Sequence, residues 1–287
     1  KFSLETALKT KRRKSFYLFS AVFLSKKGII MKFSKILLGA LLASGLYAND
    51  KTITVGASPV PHAEILEEVV KPILEKEGYK LDVKIFNDYV IPNIAVENGE
   101  LDANYFQGLP YMKSFNKDKG THIVPTVGVH VEPMGAYSKK IKSLDELKDG
   151  DIIAISNNAA DSTRSINLLE KAGIVKAKEG EYKSPLDIIE NPKNLKFKEM
   201  ESAQTPRSLD DVALAFINVN YALDVGLKPT KDALILEDKD SPYTNYVATK
   251  AGNENNPKIK ALDKAILTPE VKDFIIKRYQ GAVIPSF

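Results

Sequence analysis

Residues 52–106 of the chain read TITVGASPVPHAEILEEVVKPILEKEGYKLDVKIFNDYVIPNIAVENGELDANYF, and this stretch decides the fold. Thr52 to Ala57 reads as a strand. Pro61 to Glu77 reads as a helix, with Pro61 in its first turn and Gly78 just beyond its end, the places these two residues favour. Leu81 to Phe86 alternates as a second strand, and Ile91 to Asn98 is a short helix stopped by Gly99. Leu101 to Phe106 is a third strand, followed by a helix from about Leu109 to Asp118. Such a βαβαβ opening implies a mostly parallel sheet with ligand chemistry at the carboxyl ends of its strands.

Working outward, a second unit begins after the extended, Pro- and Gly-containing stretch His122 to Tyr137. Ile152 to Ser156 is a strand, Ser165 to Ala172 a helix stopped by Gly173, and Leu195 to Glu199 and Val212 to Asn218 are further strands. Tyr243 to Thr249 reads as a returning strand, with helices at Pro257 to Ile266 and Pro269 to Tyr279. The expected architecture is α/β with two lobes, each a mixed, mostly parallel sheet flanked by helices, joined by two crossings. Residues 49–136 and 243–287 would form one lobe and residues 137–242 the other.

Charge separates the beginning of the chain from the rest. The 287 residues carry 41 basic and 37 acidic side chains, but ten of the bases and only Glu5 among the acids lie in residues 1–48. The remainder holds 31 bases and 36 acids, so the positive total gives no reason to expect a nucleic-acid partner. Met31 to Lys35 is a short basic region, Ile36 to Leu46 is apolar, and Ala48 offers a small residue before Asn49. Residues 31–48 therefore read as a secretory signal peptide with mature protein starting near Asn49. The apolar stretch is short for a permanent membrane anchor, which needs roughly 20 residues. Residues 1–30 read as an upstream segment outside the natural protein, or, through the apolar run Phe16 to Leu24, as an extended signal region. No cysteine occurs, so disulfides, a thiol nucleophile and lipid attachment at the signal junction are not expected, and the protein should be free and soluble in the periplasm.

Catalytic options are thin, and no catalytic residue, metal ligand or cofactor is assigned. The histidines are His62, His122 and His130, with none in a two-histidine helical metal spacing. His130 and Glu132 share a face of an extended stretch, which alone is weak evidence for a metal. Ser156 to Thr163 reads as a polar loop with Arg164 at the opening of a helix, a setting that suits an anion through backbone N–H groups and a guanidinium fork. Asn218 and Asn220 follow an apolar strand, where asparagine serves equally as a turn former.

Several segments together carry a family resemblance. They are Phe86-Asn-Asp-Tyr-Val-Ile-Pro-Asn93, Leu101-Asp-Ala-Asn-Tyr-Phe-Gln107, Tyr137-Ser-Lys-Lys-Ile-Lys-Ser-Leu-Asp-Glu-Leu147, Glu190-Asn-Pro-Lys-Asn-Leu-Lys196, Pro206-Arg-Ser-Leu-Asp-Asp211 and Ile217-Asn-Val-Asn-Tyr-Ala222. In order from about Lys51 onward the chain resembles the methionine-binding NlpA/MetQ family of ABC-importer receptors. The resemblance implies a periplasmic receptor, not an enzyme, that closes two lobes on a small amino acid, methionine first. It further implies a handover to a membrane permease and its ATPase, with the receptor acting as a monomer. By position it places Tyr89 and Phe106 as an aromatic wall, Arg164 on the ligand α-carboxylate, and Asn218 and Asn245 on the polar ends.

Three departures accompany the resemblance. Gly108 stands where the family commonly has a pocket-lining histidine. Asn157 to Asp161 replaces the usual Asn-Asp-Pro-Thr-Asn, and the lipid-attachment cysteine is missing. Loss of a polar pocket group changes which ligand leaves no buried partner unpaired, so another amino acid or a short methionine-containing peptide stays open.

Overall fold

The computed structural model describes residues 51–238 and 241–287; the expected signal peptide and the segment before it lie outside these. Two mixed sheets organise the chain. The first is six-stranded, in the order Ile284–Pro285, Ile123–Val131, Thr244–Lys250, Ala103–Gly108, Thr52–Ala57 and Lys80–Ile85. The second has five strands, in the order Ile235–Leu236, Gly135–Tyr137, Leu214–Ile217, Ile152–Ser156 and Lys196–Met200. Parallel pairing is confined to the βαβαβ opening of the first sheet and to the three strands around Ile152–Ser156 in the second. The strands that enter or leave each sheet by a crossing pair antiparallel. The chain passes from first sheet to second between Val131 and Gly135 and returns between Leu236 and Thr244, giving two crossings.

The opening strand is buried along one face. Ile53, Val55 and Ala57 are fully buried against Leu66, Val70 and Leu74 of the following helical segment and Leu262 and Ile275 of the last two helices. That helical segment winds in wide turns over Pro59–Ala63 and Leu66–Val70 and as a regular α-helix over Lys71–Lys76. The second sheet has its own core, in which Ile153, Ile155, Leu214 and Phe216 pack on Leu168 and Leu169. Each burial of a large aliphatic side chain of this kind stabilises by roughly 1.5–3 kcal/mol, so two separate cores can hold two lobes.

One boundary differs from the sequence reading in a way that matters. The helix expected from Ser165 runs over Ala159–Lys171, so Ala159 to Thr163 are its first turns and not a loop. Its start is set by Asn158, whose side chain accepts the backbone N–H of Asp161 at 2.8 Å, and Asp161 adds a negative charge to the first turn. Arg164 therefore projects from the second turn, with Asp161 one turn before it. The far end behaves as read: Gly173 adopts a left-handed φ of 70°, which a residue with a Cβ rarely takes.

Candidate ligand site

A cavity lies between the two lobes, and all five residues expected at a ligand site line it: Tyr89, Phe106, Arg164, Asn218 and Asn245. Phe106 and Asn245 come from the first sheet and Tyr89 from the loop after the strand Lys80–Ile85, whereas Arg164 and Asn218 belong to the second lobe. Glu132, Asn220, Tyr111 and Asp161, absent from the expected set, line it too.

The apolar side is aromatic. Tyr89 stacks on Phe106 with ring centroids 5.4 Å apart, and Tyr111 meets Tyr89 edge-on at 5.7 Å. Beneath them the strand Ala103–Gly108 is fixed by a buried amide cluster. Gln107 Nε2 donates to Asn93 Oδ1 at 2.6 Å and to Asn104 Oδ1 at 2.9 Å, and Asn93 Nδ2 returns a bond to Gln107 Oε1 at 3.0 Å. Buried amides satisfied in this manner lock the backbone that carries Phe106.

The polar side divides into donors and acceptors. The Tyr89 hydroxyl donates to Asn220 Oδ1 at 2.6 Å, which leaves Asn220 Nδ2 buried and without a partner. Asn245 Oδ1 accepts from His62 Nε2 at 3.4 Å, turning its amide nitrogen away from the imidazole. Asn218 is oriented the other way: its Nδ2 donates to Asp161 Oδ2 at 2.9 Å. Asn220 and Asn245 thus present donors, and Asn218 presents its carbonyl.

Glu132 sits on the first crossing. Its Oε1 accepts from His130 Nε2 at 2.7 Å and lies 3.2 Å from His62 Nε2, and its Oε2 accepts the Asn220 backbone N–H at 3.1 Å. Facing a carboxylate, His130 Nε2 and His62 Nε2 both carry a proton. Their Nδ1 atoms then accept from the hydroxyls of Tyr105 and Ser58, the latter at 2.6 Å. Burial lowers His62 to about 4, opposed by Glu132 and reinforced by His130, and burial lowers His130 to about 3. Both imidazoles are therefore neutral at pH 7. Burial pushes the Glu132 carboxyl up, while His62, the Asn220 amide and Arg164 favour its charged form. The ligating atoms of His62, His130 and Glu132 lie within 4.8 Å of one another, a spacing that a metal could use and that the sequence showed only as the isolated pair His130 and Glu132.

Arg164 departs from expectation in its geometry. Its fork faces Glu237: Nε donates to Oε1 at 2.9 Å and Nη2 to Oε2 at 2.5 Å, while Nη2 also donates to the Glu132 carbonyl at 2.8 Å. The guanidinium lies over the Tyr243 ring with its Cζ 4.4 Å from the centroid. Burial works against its charge, but Glu237 and Asp161 more than offset that and raise its pKa. Nη1 is the nitrogen of the fork that bonds neither Glu237 nor the Glu132 carbonyl, and it lies 3.8 Å from Asp161 Oδ1. The proximity of Glu237, a residue at the second crossing, is announced by no local pattern.

The chain has relatives of known name and structure. It is 42% identical over 258 residues, 88% of this chain and 95% of the relative, to the D-methionine-binding lipoprotein MetQ of Salmonella typhi. A nutrient-binding protein from Burkholderia cenocepacia, solved bound to methionine, superposes with a TM-score of 0.79 at 44% identity, covering 82% of this chain and all of the other. An ABC-transporter periplasmic substrate-binding protein from Coxiella burnetii does so with a TM-score of 0.78 at 40% identity, with the same 82% and full coverage. These findings also correct the expectation of a free, untethered periplasmic protein. That expectation rested on a cleavable signal peptide, a short apolar stretch and the missing cysteine, whereas the family and the curated relatives are lipoproteins. From residue 53 to residue 287 the sequence matches the family described as NlpA lipoprotein, and the chain belongs to that family.

Proposed function

We propose that this protein is the receptor of an ABC importer that captures methionine between its lobes and presents it to a membrane permease and its ATPase. The observation that carries the reading is one cavity holding three kinds of wall. The stacked rings of Tyr89 and Phe106 suit a thioether side chain, since sulfur and aromatic rings attract. The unpartnered Asn220 Nδ2, with Asn245 and Arg164 Nη1, suits a carboxylate, and Glu132 with the Asn218 carbonyl suits an ammonium. A free amino acid presents these three groups together. The relatives named for methionine support the choice of side chain.

The reading is one of binding without chemistry. No bond-breaking step is assigned to Glu132 or the imidazoles, whose protons are all held in internal hydrogen bonds. Transport requires only that ligand bind the closed form more tightly than the open one.

The test is calorimetric titration of ligand-free protein with each proteinogenic amino acid, with thermal melts in parallel. Methionine is expected to saturate one site and to raise the melting temperature, because a ligand at a hundredfold excess over Kd stabilises by about 2.7 kcal/mol. A shift with some other amino acid and none with methionine would remove methionine and keep the receptor. No binding by any of them, including a methionine dipeptide, would remove the receptor.

A further inference from the structure

We propose that the loop between Ala177 and Pro185 is a strap by which the second lobe holds the first one shut, with the Tyr182 hydroxyl as its fastening. Tyr182 is then a positioning residue outside the ligand cavity that sets how long a captured ligand stays. This rests on the receptor reading above and deepens it.

The strap is anchored in one lobe and reaches the other. The Tyr182 hydroxyl donates to the Pro110 carbonyl at 3.3 Å, and Pro110 lies in the first turn of the helix Leu109–Lys119. On either side of Tyr182 the loop is tied to the helix Ala159–Lys171. The Ala177 N–H donates to Glu170 Oε1 and Lys183 Nζ to Glu170 Oε2, both at 2.7 Å, so the two oxygens of one carboxylate hold both ends. Lys183 is buried, and its N–H adds a bond to Thr163 Oγ1 at 2.8 Å. Just beyond, Asp187 Oδ2 accepts from the N–H and the hydroxyl of Ser184, each at 2.8 Å, which fixes the next turn. A loop held at this many points moves with its helix, and that helix carries Arg164 at the cavity.

Neither lobe needs the Tyr182 bond for its own fold. The Pro110 carbonyl sits inside a helix that uses one of its two lone pairs, so the tyrosine takes the spare one. Tyr182 packs in none of the apolar cores of the described residues. Burial, with the charges of Glu181 and of Asp118 in the first lobe, raises the hydroxyl above its ordinary value, so it keeps its proton and remains a donor. Two other tyrosine hydroxyls cross between the lobes, Tyr89 to Asn220 and Tyr221 to the Asn87 carbonyl. Tyr89 lines the cavity and the Tyr221 ring lies 5.0 Å from it, so a change at either disturbs the wall. Tyr182 does not line the cavity, although Pro110 does.

A bond between lobes forms only when the lobes are together. Ligand enters while they are apart and leaves only after they part again, so the fastening acts on release and not on capture.

The experiment measures the two rates separately, with labelled methionine, or whichever amino acid the titration above selects, on ligand-free wild type and on Tyr182→Phe, which keeps the ring and removes the donor. Release, followed by a chase with unlabelled ligand, is expected to be about two- to tenfold faster in the variant, the range for one lost hydrogen bond. The association rate and the melting temperature of the ligand-free protein should be unchanged. Because the chain has no tryptophan, Tyr182→Trp supplies a single reporter at the same place. Its emission should shift to the blue on saturation with ligand, as the indole is carried from water onto the first lobe. Unchanged release in Tyr182→Phe would overturn the proposal. So would faster release together with a lower melting temperature of the ligand-free variant, which would make Tyr182 part of its own lobe's fold, or an emission indifferent to ligand. In each of these outcomes wild type still binds and the receptor stands. Absence of binding by every amino acid to wild type would remove the receptor reading and the strap with it.

Discussion

The Tyr89 hydroxyl reaches across the cleft to Asn220 Oδ1 at 2.6 Å, so an aromatic wall residue of one lobe sets the orientation of an amide in the other. This bond decides which end of the Asn220 amide is left without a partner beside the cavity. Tyr89→Phe keeps the ring stacked on Phe106 and removes the bond. Loss of one hydrogen bond is worth about 0.5–1.5 kcal/mol, so affinity for methionine should fall by about two- to tenfold with the fold unchanged. Tyr89→Ala, which also removes the wall, should cost more. Calorimetry on both variants checks this, and a Tyr89→Phe affinity equal to that of wild type would show that the hydroxyl contributes nothing.

Arg164, proposed as a ligand partner, is also a structural residue. Arg164→Ala leaves the Glu132 carbonyl without its donor and Glu237 without its cation, in a nearly closed environment and with only the Met134 N–H and the Ser241 hydroxyl still bonding its carboxylate. Breaking such a pair costs about 3–5 kcal/mol, which for a domain of this size lowers the melting temperature on the order of 10 °C. Pairing the change with Glu237→Leu should recover part of the loss. Thermal melts of the singles and the double decide it; a single Arg164→Ala melting like wild type would return the ion pair to surface status.

Acid should destabilise the protein earlier than its carboxylates require. His62 and His130 titrate at about 4 and about 3 when folded, but at about 6.5 when unfolded. Between those values the unfolded state binds more protons, so stability is full above pH 6.5 and is lost as pH falls toward 4. Glu132, with its pKa raised, acts in the opposite sense and softens the lower end of the window. Melting temperatures from pH 8 to 5 should be flat above 7 and decline below 6.5. The decline should be shallower in His130→Gln whatever its absolute stability; an unchanged slope would show that His130 is charged when folded.

Gly108 has an ordinary backbone, with φ of −97°, so the position itself does not demand glycine. What limits it is space: a Cβ would come 3.1 Å from the Thr244 carbonyl. Gly108→Ala should fold, melt within a few degrees of wild type, and bind methionine somewhat more weakly as the strand Thr244–Lys250, which carries Asn245, shifts to make room. Unaltered affinity together with unaltered stability would show that the strands part without disturbing the cavity.

Legibility from the sequence followed interaction range. The βαβαβ opening and the last two helices could be read because Ile53, Val55, Pro61, Gly78, Pro257 and Pro269 declare themselves through neighbours in the chain. The early start of the helix Ala159–Lys171 was masked because Asn158 and Asp161 sit in a run of polar residues that resembles a loop, although an Asn capping a helix three residues ahead of an acid is a recognisable signal. Glu132 could be noticed beside His130, but its meaning depends on His62 and Asn220, which only the fold brings to it. The same holds for Glu237, whose grip on Arg164 joins two distant segments. Family resemblance located the five cavity residues; it did not reveal how the bonds among their neighbours orient them.

The Arg164 and Glu237 pair also lies where the two crossings meet. Glu132 and Met134 belong to the first crossing and Glu237 to the second; Arg164 bonds Glu132 and Glu237, and Glu237 Oε2 takes the Met134 N–H at 2.9 Å. The two passages between the sheets are thus riveted to each other by side chains that also border the ligand cavity. A group bound against Arg164 or Glu132 touches that rivet itself, so filling the cavity and loading the joint between the sheets are one event and not two.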